Sequence, residues 1–364
     1  MESTSSVFVD ERTAALDLKL ESIFQPVADE LELTKSLYKK TVLQTAERNY
    51  IHRLLSGEEE SYIPQEYRVE IADKVATHLL QSQGKWIRAA IVLLSAKSCG
   101  VSSEAARQLA VAVESVHLAT LVHDDIIDQA AMRRGVESVQ AVWGNSVAVL
   151  IGDFLLSKAF KLLLASASVH AQKLLTHATG QMCLGEIKQL RSSGRDGMAE
   201  QDYLEMIENK TASLMAAAAA SGGRLGDIST RSVECLHAYG HSVGMAFQIA
   251  DDILDYTASS ITLGKEKGGD LRNGKATLPL IHLFQNDGKN VHSILSSPIS
   301  DEQKIQAMLA LMKEMGSIDY AYKVGRRYGE RAKENLKTIE REIGASDSLN
   351  SLYALVDFVL TRKR

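Results

Sequence analysis

Proline is scarce in this chain: its four copies, at positions 26, 64, 279 and 298, leave everything from 65 to 278 free of it. Proline breaks helix interiors, so a long proline-free stretch rich in Ala, Leu, Glu and Lys suits helices. Also missing are segments where β-branched and aromatic residues alternate at period 2 between turn signals, which argues against strands. The three cysteines, Cys99, Cys183 and Cys235, stand apart in apolar helical contexts. They suit packed thiols in a reducing compartment rather than a disulfide or zinc framework. No apolar run approaches the roughly 18 residues of a membrane span. The opening MESTSSVFVDER has no charged-then-apolar signal order, and Glu2, Asp10 and Glu11 argue against a transit peptide. Charge of one sign is not in excess either: 41 basic against 46 acidic residues give −5, which suggests no nucleic-acid partner. A length of 364 residues alone would suggest two domains. The helical pattern instead predicts an all-α protein, and the thiols and the lack of signal, transit or membrane segments suggest a cytoplasmic one. A flexible tail over 1–18 would precede a single large helical bundle, 19–364, around a central apolar cavity.

Apolar residues recur at helical spacing from Leu18 to Leu55, including Leu31, Leu33, Leu37 and Val42. Residues 56–64 read as a loop, and further helices are expected over 66–81, 86–98 and 103–130. Ser102, Ser103 and Glu104 supply capping chemistry for the last of these. That helix is rich in Ala and Val on nearly all sides, as one buried within a bundle would be. Met132–Gly135 is a basic break. More helices are expected over 145–164, 169–191, 202–221 and 231–256. A charged glycine-rich loop, 264–275, precedes TLPLIHLF and three last helices.

What is present in duplicate is Asp-Asp-Ile-x-Asp, once at Asp124, Asp125 and Asp128 and again at Asp251, Asp252 and Asp255. Positions i and i+4 share a helix face, so Asp124 stacks with Asp128 and Asp251 with Asp255, at a cost of roughly 0.2–0.5 kcal/mol per like-charged pair. Both copies lie in apolar frames, where carboxylates need counter-charge. Carboxylate-only ligation favours a hard cation, Mg2+ above all, completed by substrate phosphate oxygens. One copy alone would read equally well as a solvated acidic face. Two copies in matching frames suggest two helices facing one another across a cavity.

Cations lie where polyanion clamps would need them. Lys85 and Arg88 are three apart after Gly84, Arg133 and Arg134 follow the first motif, Lys210 starts an alanine-filled helix, and Lys265 and Lys275 follow the second motif. Arg suits bidentate phosphate recognition and Lys acts as a point charge. His117 points to the side of Asp124, as a phosphate ligand or a satisfied core histidine. Thr211 and Gln248 offer neutral hydrogen bonds towards the cavity.

LVHDDIID with downstream MRRG, QIADDILD, the DLRNGKATLPLI segment and GKWIR together resemble the trans-isoprenyl diphosphate synthases. The similarity runs from about residue 22 to the closing LVDFVLTRKR. FQPVADELELTKSLYKK and WGNSVAVLIGDFLLSKAF look most like long-chain octaprenyl or heptaprenyl members. The resemblance implies that Asp124, Asp128, Asp251 and Asp255 bind Mg2+, as three ions bridged by substrate diphosphate. It assigns Lys85, Arg88, His117 and Arg134 to isopentenyl diphosphate, and Arg133, Lys210, Thr211, Gln248 and Lys265 to the allylic diphosphate. The family's Gly-Gly-Lys-Arg-x-Arg-Pro is here Gln83-Gly84-Lys85-Trp86-Ile87-Arg88-Ala89, which puts the shape of that turn in question. Glu266 also replaces a usual proline.

The expected activity is condensation of isopentenyl diphosphate with an allylic diphosphate, by a homodimer with at most transient membrane contact for product release. Ala119 and Thr120, just before the first motif, are small where short-chain relatives carry bulky aromatics, so a long product is expected. Shorter-chain synthases remain an alternative. A class I terpene cyclase would usually replace the second motif, and a non-catalytic synthase subunit would be expected to lose aspartates.

Overall fold

The computed structural model describes residues 11–43, 74–75, 77–79, 84–165, 168–192, 198–257 and 268–362. Helix α1 (Glu11–Phe24) passes through a 3-10 turn, Gln25–Val27, into α2 (Ala28–Leu43). α1 thus begins inside the stretch expected to be a flexible tail, while residues 1–10 lie outside the described residues. The reason is tertiary. Leu20, Ile23 and Phe24 are buried, and Asp17 meets Lys85 at 3.4 Å. On α2 the buried stripe is Leu31, Thr34, Tyr38 and Thr41, and Leu33 is exposed. The loop expected at 56–64 and most of the 66–81 helix lie outside the described residues.

Helices α3 (Ile87–Ser98) and α4 (Glu104–Ile127) follow. Ser103 caps α4: its Oγ accepts from the Ala106 N–H at 3.3 Å, satisfying an amide the first turn leaves without a partner. From Leu109 to Val113 every α4 residue is buried, as the apolar composition on all sides predicts. The basic break folds as a small hairpin, which strand-free expectations missed. β1 (Met132–Arg133) pairs antiparallel with β2 (Val136–Glu137). Arg134 and Gly135 form its turn with φ of 50° and 82°, as a tight two-residue hairpin requires.

Then come α5 (Val139–Trp143), α6 (Asn145–Ala165) and α7 (Val169–Ser192). The helix expected over 202–221 is interrupted. α8 (Glu200–Ile207) leads through a π-helical turn, Glu208–Ala212, into α9 (Ser213–Gly223). α10 (Thr230–Thr257), 28 residues long, carries the second acidic motif. After a short α11 (Gly269–Arg272) the chain ends in α12 (Leu278–Ser296), α13 (Asp301–Glu314), α14 (Ser317–Ile343) and α15 (Asp347–Thr361).

α10 packs along α9 and α14, α4 along α6, and α9 against α3 and α7. Leu214 to Gly223 are buried without exception, so α9 runs through the core. Among the described residues no helix is long and apolar enough to cross a membrane.

Candidate active site

The first acidic motif lies in the last turn of α4, with Asp128 as its C-cap. Carboxylates there oppose the helix dipole and call for cations. The chain supplies them from elsewhere. Lys275, on the segment after α11, donates to Asp128 Oδ2 at 3.0 Å, and Lys210 Nζ stands 3.7 Å from Asp124 Oδ2. The segment following the second motif therefore reaches back to the first. Within the second motif, Asp251 Oδ1 accepts from Arg362 Nη2 at 2.8 Å, and Asp255 Oδ2 accepts from the Asp270 N–H at 3.0 Å. Burial pushes the Asp124 carboxyl up to about 6 against the pull of Lys210. Asp270 is likewise pushed up to about 6 by burial and by Asp255.

The middle aspartate of each motif turns inward. Asp125 is buried and accepts from Arg133 Nε at 2.8 Å. Asp252 is buried and accepts from the Tyr203 hydroxyl at 2.6 Å and Gln248 Nε2 at 2.8 Å. Burial drives its carboxyl up to about 8 while those two donors pull the other way. Among the described residues no three Asp, Glu, His or Cys side chains gather closely enough to hold a metal by themselves. The outer aspartates are nonetheless an oxygen-only donor set of the kind that suits a hard divalent cation sharing its shell with substrate phosphates.

Lys210 and Thr211 sit on the π turn, where the extra residue re-aims side chains relative to an α-helix. Lys210 is paired with Glu186 and bonded to Gln189 Oε1 at 3.1 Å, both on α7. Thr211 donates to Gln248 Oε1 at 2.9 Å. Two glycines let neighbouring helices grip this turn. A Cβ on Gly185 would lie 2.7 Å from the Lys210 nitrogen, and one on Gly244 2.5 Å from the Ala212 Cα. Gly185→Ala is accordingly expected to lower turnover about tenfold or more by displacing Lys210, at a stability cost of about 1–3 kcal/mol. Steady-state kinetics beside a melting curve checks this, and unchanged turnover would contradict it.

A second group of cations gathers at the start of α3. Arg88 Nη1 lies 3.1 Å from His117 Nε2, and the Arg134 guanidinium packs so closely on Gly84 that a Cβ there would overlap it. Lys85 is exposed and paired with Asp17. Trp86 adopts a left-handed φ of 54° at the N-cap and sets its ring edge-on to Tyr38 at 5.0 Å. At position 89, where the family pattern has proline, Ala89 donates its N–H to Glu114 Oε1 at 3.0 Å, a bond proline cannot make. Ala119 is fully buried, and Thr120 donates to the His117 carbonyl at 2.8 Å. Lys265, Glu266 and Gln83 lie outside the described residues.

The structure thus brings the outer aspartates, Lys210, Thr211, Gln248 and Lys275 into one cluster, and Arg88, His117 and Arg134 into another. Arg133 turns to Asp125. Sequence reasoning missed Glu186, Gln189, Asp270, Tyr203, Glu114 and Arg362. Glu186 and Gln189 share a face at i, i+3 but stand in a helix with many other polar residues, so they, like the others, become visible only through tertiary contacts.

The Polyprenyl synthetase family matches residues 69–312. The chain belongs to that family. It is 34% identical over 298 residues to the short chain isoprenyl diphosphate synthase of Methanothermobacter thermautotrophicus, covering 80% of this chain and 90% of that one. It is 32% identical over 292 residues to the octaprenyl diphosphate synthase of Haemophilus influenzae, covering 79% and 89%. The Caulobacter crescentus polyprenyl synthase crystallised with calcium and isoprenyl diphosphate superposes with a TM-score of 0.82 at 30% identity, over 95% of this chain and 98% of that one. This polyprenyl synthetase is a prenyltransferase of the all-α isoprenoid synthase fold, working with isoprenoid diphosphates and a divalent metal. Its relatives span short and long products.

Proposed function

We propose that the enzyme condenses isopentenyl diphosphate with an allylic diphosphate to make a long-chain all-trans polyprenyl diphosphate, with three Mg2+ ions that Asp124, Asp128, Asp251 and Asp255 would hold. The observation that carries this is the cross-motif geometry, in which Lys210 and the segment bearing Lys275 draw Asp124 and Asp128 to the second motif's end of the site. Bound metal would neutralise charge developing on the departing pyrophosphate.

The protein's own groups divide between two substrates. Lys210, Thr211 and Gln248, with Arg133 and Lys265, serve the allylic diphosphate. Lys85, Arg88, His117 and Arg134 serve isopentenyl diphosphate. Among the described residues the buried Arg88 Nε has no hydrogen-bond partner, an unmet donor that a phosphate oxygen would satisfy. Burial, then Arg88, Arg134 and Arg133, hold His117 well below the usual histidine range, so the ring is neutral. Since Arg88 can only donate, His117 Nε2 accepts from it and Nδ1 carries the ring's N–H. Preorganised donors stabilise the leaving diphosphate, the isopentenyl double bond attacks the allylic cation, and the proton lost from the new chain goes to pyrophosphate. Apolar walls exclude water from the cation.

Small Ala112, Ser115, Ala119 and Thr120 along α4 support a long product. A homodimer is supported by apolar side chains left exposed on two neighbouring helices, Val149, Leu150, Phe160 and Leu164 on α6 and Leu184, Ile187 and Leu190 on α7. The three free thiols fit a cytoplasmic setting, and a water-insoluble product implies transient membrane contact at release.

Product analysis with isopentenyl diphosphate and a geranyl diphosphate primer, with and without Mg2+, tests the reading. Metal-dependent products of about seven to ten isoprene units are expected. Cyclised terpenes, or no chain growth, would overturn it. The two clamps should separate kinetically, with Arg88→Ala raising KM for isopentenyl diphosphate and Lys210→Ala that for the primer, each about tenfold or more. If both variants affect only the primer, the division of cations is wrong.

A further inference from the structure

Tyr203 on α8 has no exposed surface, yet it carries a hydroxyl into the core. That hydroxyl donates to Asp252 Oδ2 at 2.6 Å. The other carboxyl oxygen, Oδ1, accepts from Gln248 Nε2 at 2.8 Å. Gln248 in turn accepts the Thr211 hydroxyl on its amide oxygen at 2.9 Å. Four side chains from α8, the π turn and α10 form one chain of hydrogen bonds, and its donors all run towards Asp252.

An amide has two ends of opposite character, and which end faces a ligand is set by the bonds on either side. Tyr203 holds one oxygen of Asp252, which fixes the carboxyl plane and aims the other oxygen at Gln248. With the Asp252 carboxylate ionised both its oxygens accept, so the Gln248 NH2 turns to Asp252 and its oxygen to Thr211, leaving the second N–H to donate. The reversed amide would offer an oxygen to an anion.

We propose that Tyr203 is a positioning residue for the allylic diphosphate: through Asp252 it locks the Gln248 amide in the orientation that donates to the diphosphate. The inference rests on the assignment of Gln248 and Thr211 to the allylic site.

The test is steady-state kinetics at saturating Mg2+ with geranyl diphosphate and isopentenyl diphosphate, on Tyr203→Phe, Gln248→Ala and the double variant. Each single variant is expected to raise KM for geranyl diphosphate about fivefold, with KM for isopentenyl diphosphate held within about twofold. The double variant should be no worse than the worse single one, because both changes remove one interaction. Additive effects, an equal rise in both KM values, or an unchanged geranyl KM in Tyr203→Phe would overturn the proposal. If Gln248→Ala itself leaves the geranyl KM unchanged, the allylic assignment fails, and the proposal with it. If only Tyr203→Phe is silent, the assignment stands and the proposal alone falls. Should Tyr203→Phe not fold, as judged by its melting curve, Asp252→Asn takes its place with the same outcomes, since its side-chain amide needs an acceptor and would turn Gln248 round.

Discussion

Asp124→Ala or Asp251→Ala is expected to lower turnover by about 10^3-fold or more, equivalent to roughly 4 kcal/mol of transition-state stabilisation. The fold should survive both changes, because neither strands a charge. Without Asp124, Lys210 keeps Glu186 and Gln189. Without Asp251, Arg362 still donates to the Phe247 carbonyl at 2.8 Å and lies over the Phe247 ring at 3.9 Å. Asp124→Ala also removes a carboxyl that burial and its acidic neighbours disfavour when charged. The measurement is turnover at saturating Mg2+ beside a thermal melt. Near-normal turnover in either variant would contradict metal ligation by that residue.

The second large effect concerns product length. Ala119 precedes His123 by one helical turn, so both face the seam between α4 and α6. There His123 Nε2 lies 3.1 Å from the Val149 carbonyl. On the proposed reading, a tail growing away from Asp124 along α4 passes this level. Ala119→Tyr adds a ring at a fully buried position, and the product is expected to shorten from the heptaprenyl–decaprenyl range to the farnesyl or geranylgeranyl level. Chromatography of the dephosphorylated products reads this directly. An unchanged product from the variant, or a wild-type enzyme that stops at farnesyl diphosphate, would sink the idea.

Much of the fold was legible because its signals are local. The absence of proline from 65 to 278 and the all-round apolar character of 106–122 point to buried helices without any knowledge of partners. The site was legible in outline for a related reason: duplicated aspartates in apolar frames demand counter-charge wherever they end up. The illegible parts depend on tertiary context. On α2, Thr34 and Tyr38 are buried where Leu33 is not, because packing against α4, rather than hydrophobicity alone, sets that face. The π turn at 208–212 has no compositional mark. Glycines at 185 and 244, distant in sequence, are what allow the helices to close on it. Arg362 reaches Asp251 from 111 residues away. No window of local pattern spans that distance.

Among the described residues, three of the four outer aspartates have a cation from the chain itself as partner: Lys210 at Asp124, Lys275 at Asp128 and Arg362 at Asp251. On the proposed reading, loading such a site with metal would be an ion exchange rather than a simple addition. On the same reading, a divalent ion that takes Asp128 would release the Lys275 ammonium from its carboxylate, and Lys275 would then be able to turn to the diphosphate. Metal and diphosphate would then favour each other's binding, and linkage makes that coupling the same factor in both directions.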